Sequence, residues 1–391
     1  MALRRALLAF AALATLAAGP AAADVIKVGI IGTFSGPFAI QGKSFKLGIE
    51  TYQAMHGAKA GGHDVEFVYR DVQAPDPTRA KALAQELIVK EQVQYIGGVF
   101  FTPNAMAIAP LLEQGKVPLV VFNAATSSIV QKSPYIVRTS FTLWQTTAPM
   151  AKVAAKRGLK KVVTAVSDYG PGIDAETAFK KTFEGDGGSV PEALRMPVNT
   201  TDFGPIMQRI KDSGAEAVFA FLPAGPPTLA FVKAFIDNGL RDKGLKLITT
   251  GDLTQETDLQ ALGDASLGIL STFHYSFAHD SDVNRQFLDK LKAIAGSLDE
   301  VTFPVVGAYD GMHVIYKMIE ATGGKRDPKK AVEAVKGLSW ESPRGPLKID
   351  PETRNPVQNI YLRVVEKSGD RYINKEIETF PNQGDPGLEQ K

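Results

Sequence analysis

The 391-residue chain contains no cysteine. That excludes a disulfide framework, a thiolate metal site and a lipid-attachment thiol behind a leader. Histidine is scarce as well, with five in all. The closest pair, His274 and His279, straddles Tyr275-Ser276-Phe277, and without cysteine or an acidic pair on a helix it makes a poor metal site. Solvent-facing or hydrogen-bonded imidazoles are the plainer reading, and no metal is expected. The familiar catalytic strings are missing too: no Gly-x-Ser-x-Gly elbow, no phosphate loop ending in Gly-Lys-Ser/Thr and no His-Glu-x-x-His. The opening strand carries Gly29-x-x-Gly32-x-x-x-Gly36, a spacing that differs from the dinucleotide fingerprint, so no cofactor is expected.

Beyond the amino terminus there is no long apolar run. At the terminus itself Arg4 and Arg5 precede the apolar stretch 6–18, and Ala21-Ala22-Ala23 offers a small-residue cleavage site before Asp24. This is the pattern of a cleaved export signal over residues 1–23, too short to span a bilayer. Removing it takes away two arginines and no acid, leaving 368 residues with 42 basic and 42 acidic side chains. A balanced surface argues against nucleic acid or an anionic membrane as the main partner. The remaining length exceeds what one core usually serves, about 250 to 300 residues, so two lobes are expected.

Short apolar or β-branched runs alternate with segments of helical period, the pattern of βα units around mainly parallel sheets. Strands are expected at 26–32, 65–70, 95–99, 119–122, 136–139, 162–166, 217–221, 246–249 and 269–273. Helices are expected at 41–55, 78–90, 104–114, 143–156, 173–183, 206–211, 228–238, 283–295 and 308–320. Asp76-Pro77 and Thr102-Pro103 each set a capping side chain before a proline at the first helical position. After Trp340 the texture turns extended or hairpin-like, with a strand near 360–365 and a frayed tail from Asn382 to Lys391.

In open α/β sheets ligands gather beyond the carboxyl ends of the strands, where helix N-termini present free N–H groups to anions. Two such places draw attention. One is Thr102, at the start of its helix; the other is the small-residue turn Asn123-Ala124-Ala125-Thr126-Ser127-Ser128. For each hydroxyl a purely local cap or turn bond is the competing reading.

Taken in order, Ile26-Lys27-Val28-Gly29 running into Ser35-Gly36-Pro37, then Asp71, the helix start at 75–87, Tyr95-Ile96-Gly97-Gly98, Ala124-Ala125-Thr126, Asp168-Tyr169-Gly170 and Tyr309-Asp310-Gly311 span nearly the whole mature chain. In this order and spacing the chain resembles the type I periplasmic binding proteins of the leucine/isoleucine/valine-binding kind that serve ABC transporters. The resemblance implies two Rossmann-like α/β lobes joined by three crossing segments, near Phe141, Tyr275 and Val357. The N-terminal lobe would comprise 24–140 and 276–356, and the C-terminal lobe 141–275 and 357–391. It further implies a ligand carboxylate held at Thr102, Ala124 and Thr126, covered by Tyr169, with Asp252 as the acid that meets an amino-acid ammonium.

Two departures bear on the ligand. Gln41 stands where the family has a first-turn aromatic, and the bulky Phe100-Phe101 precedes Thr102; by strand alternation at most one of these phenylalanines faces a cleft. The turn 222–226 also lacks the tyrosines often found there. The tail, from Trp340-Glu341-Ser342-Pro343 to Val357-Gln358-Asn359-Ile360-Tyr361, resembles members that take up aromatic carboxylates such as hydroxybenzoates. An aromatic acid is therefore the expected ligand, with a branched-chain or other hydrophobic amino acid as the alternative. Asp252 discriminates: without an ammonium to meet, it accepts from a ring hydroxyl or lies outside the pocket. The implied protein is soluble and periplasmic, is no enzyme, and hands its solute to an inner-membrane permease by lobe closure. Its rivals are an exported α/β enzyme using Asp168, Asp252 or Asp310, and a binding protein that feeds a sensor.

Overall fold

The computed structural model describes residues 25–388; the expected export signal lies outside the described residues. The first half runs β1 (Ile26–Gly32), α1 (Ala39–His56), β2 (Lys59–Ala60), β3 (His63–Asp71), α2 (Pro77–Val89), β4 (Tyr95–Gly98), α3 (Thr102–Gly115), β5 (Leu119–Val121) and β6 (Ile136–Arg138). These strands form one six-stranded sheet in the order β2-β3-β1-β4-β5-β6. It is parallel apart from the short β2–β3 hairpin. β1 is buried along nearly its whole length, as a central strand covered on both faces must be.

The chain then forms α4 (Leu143–Lys156), β7 (Val162–Ser167), α5 (Gly170–Gly185), β8 (Ala193–Met196), α6 (Gly204–Asp212), β9 (Ala217–Phe221), α7 (Pro226–Asp237), β10 (Lys246–Thr250), α8 (Glu256–Leu262) and β11 (Leu270–Phe273). Helices α9 (Asp282–Ala295), α10 (Pro304–Thr322) and α11 (Pro328–Val335) follow, α9 and α10 returning to pack on α1 of the first lobe. Last come β12 (Ser339–Ser342), β13 (Gly345–Ile349), β14 (Pro356–Ser368) and β15 (Arg371–Gln383). The second sheet has nine strands in the order β12-β13-β14-β11-β10-β9-β7-β8, with β15 added on β14. It is parallel from β8 to β11 and antiparallel from there on. The architecture is thus two α/β lobes with mixed, mostly parallel sheets.

Strong periodicity marks the elements that sequence reading anticipates, and those without it were missed. Strand β15 is the largest omission, because most of its residues are exposed and only Asn374 is buried, so no alternating apolar signal exists. The short α8, α11 and β8 were missed because they span only seven, eight and four residues, too few for a pattern such as the alternation of β8 to stand out. Division of the lobes at 356/357 places the β12–β13 hairpin with the first lobe. Its hydrogen bonds join it to β14 of the second sheet, while Trp340 and Ser342 donate to Asp310 of α10, so the hairpin is shared between lobes.

The tail corrects an expectation. Instead of fraying from Asn382, it is pinned over the hinge by Asp385, which accepts from Ser127 Oγ at 2.9 Å, Thr142 Oγ1 at 3.0 Å and Asn355 Nδ2 at 2.8 Å. Polar groups from three separate segments converge on one carboxylate, which is why a glycine- and proline-containing tail holds a fixed path.

Candidate functional site

The carboxyl ends of β4, β5, β7, β9 and β10 meet across the cleft between the lobes. There Phe100, Asn123, Ala125, Phe141, Leu143, Tyr169, Pro171, Phe221, Pro223 and Asp252 line a small, tightly closed cavity. Its walls are largely aromatic. Phe100 and Phe101 pack edge to face with centroids 4.9 Å apart, and the Tyr169 and Phe221 rings lie nearly parallel at 6.2 Å. Phe141 stacks on His274 at 4.6 Å. The turn that delivers Phe100 is strained: Val99 has φ of 66°, a left-handed conformation that a β-branched residue rarely adopts. It is held there by its N–H donating to Ile31 O at 2.7 Å and its carbonyl accepting from Ala124 N at 3.1 Å.

The expected site residues fall into three groups. Phe100, Tyr169 and Asp252 line the cavity. Thr102 and Thr126 lie at its rim: a Cβ built on Gly170 of the opposite lobe would sit 2.6 Å from Thr126 Oγ1 and 3.3 Å from Thr102 Cγ2. Ala124, Phe101 and Gln41 are outside it. Ala124 packs in the core of the first lobe and spends its N–H on Val99, while its neighbour Ala125 faces the cavity. Phe101 packs edge to face on Phe38 at 4.9 Å.

Thr102 does not cap α3. The helix begins at Thr102 itself, after Phe101 in extended conformation, and the Thr102 hydroxyl accepts from Thr126 N at 3.4 Å. Asp76 does cap α2, accepting from Arg79 N at 2.9 Å. Freed from capping, Thr102 ties the start of α3 to the β5 turn.

Three features at this seam suit an anion. Helices α3 and α5 both begin there, from opposite lobes, each with a proline in its first turn and N–H groups without helical partners. The Thr126 hydroxyl is buried and has no hydrogen-bond partner among the described residues. Behind the turn, the fully buried Arg138 donates to Thr126 O at 2.6 Å and Phe141 O at 3.4 Å, with Nε unmatched. No acid bonds it directly, but Asp385 and Asp174 lie near enough to interact with its charge.

At the far side of the cavity is Asp252, in the turn after β10. Its Oδ2 accepts from Thr250 Oγ1 at 2.9 Å. Burial pushes its carboxyl up to about 7, against the Thr250 bond, its own N–H and the Arg363 charge. Burial, with the Asp252 charge beside it, also holds the Tyr169 phenol far above its ordinary value. The turn can approach so closely because residue 251 is glycine: a Cβ there would meet the Phe273 ring at 2.2 Å and Arg363 Nη2 at 2.5 Å.

The lobes are bridged by Gln41, whose Nε2 donates to Ala224 O at 3.1 Å and Gln255 Oε1 at 3.2 Å. Its Oε1 accepts from Thr302 Oγ1 at 2.7 Å. A second bridge is the Ser127 N–H donating to Asp174 Oδ2 at 2.9 Å. At about 1 kcal/mol each these bonds supply roughly 3 kcal/mol, whereas moving an equilibrium from 1:99 to 99:1 takes about 5.5 kcal/mol. A ligand that contacts both lobes adds to these bonds in favour of the closed form.

Asp174 gives closure a pH dependence. Burial, and Asp385 nearby, push its carboxyl up to about 6, while the Ser127 N–H and Arg138 oppose the shift. The carboxyl is solvated and ordinary when the lobes part, so the closed form binds the proton more tightly and is favoured as pH falls. Affinity for an anion that stays ionised is expected to be about tenfold higher at pH 5 than at pH 7. Calorimetric titrations of the wild type and Asp174→Asn across that range check it; the variant should show a flatter profile.

The acids of the enzyme rival do not converge. Asp168 is exposed, Asp252 lines the cavity, and Asp310 is consumed by Arg344 at 3.0 Å. His274 and His279 also diverge, the first stacked on Phe141 and the second paired with Glu376 at 2.9 Å. Among the described residues no group of three or more potential ligands is placed to hold a metal, and no helix is long and apolar enough to cross a membrane. Asn123 and Ala125 fall in the small-residue turn that sequence reading singled out, whereas Phe141, Leu143, Pro171, Phe221 and Pro223 were not named as site residues. Of the latter, only Phe221 had a signal, its position at a strand end.

A family model described as periplasmic binding protein matches residues 25–370. The chain belongs to the periplasmic binding protein family. A Brucella melitensis relative, Leu/Ile/Val-binding protein homolog 6, is 64% identical over 375 residues, 96% of each chain. Among solved structures, a solute-binding protein of an ABC transporter from Rhodopseudomonas palustris HaA2, in complex with p-hydroxybenzoic acid, is 64% identical with a TM-score of 0.93, covering 94% of this chain and 100% of that one. A second, from Rhodopseudomonas palustris BisB5 in complex with 3,4-dihydroxybenzoic acid, is 43% identical with a TM-score of 0.89, covering 93% and 99%. These likenesses extend over both lobes of this binding protein, cleft included.

Proposed function

We propose that this protein is the periplasmic solute-binding component of an ABC uptake transporter and captures an aromatic carboxylate by lobe closure. The observation that carries the reading is the opposition of the α3 and α5 N-termini around the unmatched Thr126 hydroxyl, beside an aromatic-walled cavity. The carboxylate sits at that seam, with Thr102, Thr126 and the backbone at Ala125 on one side and the start of α5 on the other. The ring lies between Phe100, Phe141, Tyr169 and Phe221. Phe and Tyr faces suit a planar ring better than a branched aliphatic chain. Hydroxybenzoates bound by the Rhodopseudomonas palustris relatives support the same class. The ligand is released unchanged to an inner-membrane permease, with no chemistry in the cleft, and the expected leader and the family support a periplasmic site of action.

A thermal-shift screen of unfolded and refolded protein, free of carried-over solute, tests this against benzoates, cinnamates, branched-chain amino acids and small aliphatic acids. At about 100 times its dissociation constant a true ligand adds roughly 2.7 kcal/mol of stability. Stabilisation by leucine or valine with none by any benzoate would overturn the aromatic assignment. Conversion of the bound acid on long incubation would overturn the transport role.

A further inference from the structure

After β15 the chain leaves the second sheet and crosses to the first lobe. Asp385 Oδ1 accepts from Ser127 Oγ at 2.9 Å, Thr142 Oγ1 at 3.0 Å and Gly387 N at 3.0 Å, and its Oδ2 accepts from Asn355 Nδ2 at 2.8 Å. Thr142 caps α4, the first helix of the second lobe. Two residues on from Asp385, a Cβ at Gly387 would sit 2.2 Å from Ser127 Oγ and 2.4 Å from Trp144 Cδ1 of α4. Leu388 then packs on the first-lobe core that contains Ala124, Ile129 and Val130. The tail is therefore a further link between the lobes.

What it grips in the first lobe is the turn that carries Thr126, which has little regular structure of its own. The turn runs into the 3₁₀ helix Ser127–Lys132, where the Thr126 side chain makes no capping bond, and the Thr126 N–H reaches Thr102 Oγ1 only at 3.4 Å. Its firmer ties come from outside. Arg138 donates to Thr126 O at 2.6 Å, Asp385 takes the Ser127 hydroxyl, and Asp174 of α5 takes the Ser127 N–H at 2.9 Å. Arg138 shares its charge with both of these acids. With one cation between two acids, recognition of an anion rests on the direction of the N–H groups at the starts of α3 and α5 and of the Thr126 hydroxyl. Hydrogen bonds weaken steeply as they bend, and such sites depend on residues behind them that hold the geometry to within about 0.5 Å.

We propose that Asp385 is a positioning residue for solute capture: fastened through it, the C-terminal tail holds the Thr126–Ser127 turn in its binding orientation. Asp385 is not among the residues that line the cavity and acts through Ser127 and Arg138. This rests on the reading above that a carboxylate sits at the α3–α5 seam, and it adds the tail to the parts that capture it.

Calorimetric titration of the refolded mature protein with 4-hydroxybenzoate tests it, comparing wild type, Asp385→Ala, Asp385→Asn and a chain ending at Gln383, which keeps β15 whole. Urea unfolding of each ligand-free protein establishes that it is folded. Asp385→Ala and the shortened chain should bind about tenfold more weakly at pH 7.5, the scale of one lost hydrogen bond. Asp385→Asn should recover most of the affinity. Its oxygen still accepts where Ser127 and Thr142 converge, and its amide can donate to Asn355 Oδ1, otherwise unmatched, once that side chain flips. The pH profile separates positioning from a merely looser fold. Burial, and the Asp385 charge nearby, hold the Asp174 carboxyl up. With that charge removed the closed form takes up less proton, so the gain in affinity from pH 7 to pH 5 should shrink in both point variants. Loss of stability alone leaves that slope unchanged. Should Asp385→Ala and the shortened chain fail to fold, the slope of Asp385→Asn decides alone. Wild-type affinity in Asp385→Ala and the shortened chain, or an unchanged slope in the point variants, overturns the proposal while leaving the aromatic reading intact. Absence of binding of any aromatic acid by the wild type instead overturns the aromatic reading, and this proposal with it.

Discussion

Gly170→Val is expected to weaken capture of the cognate acid about 100-fold or more, equivalent to about 2.7 kcal/mol, while the ligand-free protein keeps its fold. Gly170 opens α5 and closes directly on the other lobe, so the added side chain would occupy the space of Thr126 Oγ1, 2.6 Å from its Cβ, and of Thr102 Cγ2 at 3.3 Å. The clash exists only when the lobes are shut. The three nearest atoms all belong to the opposite lobe, so parting the lobes removes them, and substitutions away from buried features usually shift stability by no more than about 0.5 kcal/mol. The informative contrast is two residues along. A Cβ at Gly172 would lie 1.8 Å from Ser167 O of its own lobe, so Gly172→Val should damage the fold itself. Titration with 4-hydroxybenzoate, paired with urea unfolding of the ligand-free proteins, separates the two. Undiminished affinity in Gly170→Val would show that the closed arrangement is not the binding one.

The second large effect is on stability. Asp310→Ala is expected to cost about 3–5 kcal/mol, the usual result of removing one partner from a buried ion pair. Asp310 and Arg344 are both fully buried, and their carboxylate and guanidinium meet at 3.0 Å. Burial raises the Asp310 carboxyl and lowers the Arg344 guanidinium, which means desolvation outweighs their attraction. The pair adds little net stability, yet either member alone would be far worse. Asp310 also accepts from Trp340 Nε1 and Ser342 Oγ, each at 2.9 Å. Arg344 donates to the crossing segment at Ser140 O, 3.1 Å, and at Thr139 O. Urea midpoints check the prediction, and the double substitution Asp310→Leu with Arg344→Leu should recover part of the loss, because it removes both charges together. A double variant as unstable as the sum of the singles would contradict this account.

Much of the fold is legible in the sequence because its signals are local. The 26–32 and 217–221 strands and the 143–156 helix match the structure residue for residue, since a strand buried on both faces or a helix with one apolar stripe declares itself within a few residues. The cap at Asp76 was equally local. Thr102 misled because the same hydroxyl-proline pattern fits either a cap or the first helical residue, and Thr126, distant in sequence, decides between them.

The site was legible in outline only. Strand ends and small-residue turns pointed to Thr126 and its neighbours, but not to which alanine faces the ligand: Ala125 lines the cavity because the Ala124 N–H is drawn back to the strained Val99. Gln41, read as a pocket residue, became a bridge between lobes because its partners, Ala224 and Gln255, lie 183 and 214 residues away. The exposed β15 gave no pattern, and only its pairing with β14 holds it in place.

By itself, then, the sequence determined the α/β alternation, the need for two lobes and the absence of any cysteine chemistry, all set by composition and short-range periodicity. Tertiary structure decided what the cleft can hold. It placed two helix N-termini and the Thr126 hydroxyl at one end and Asp252 at the other, because electrostatic complementarity depends on distances in space between segments that no local pattern links.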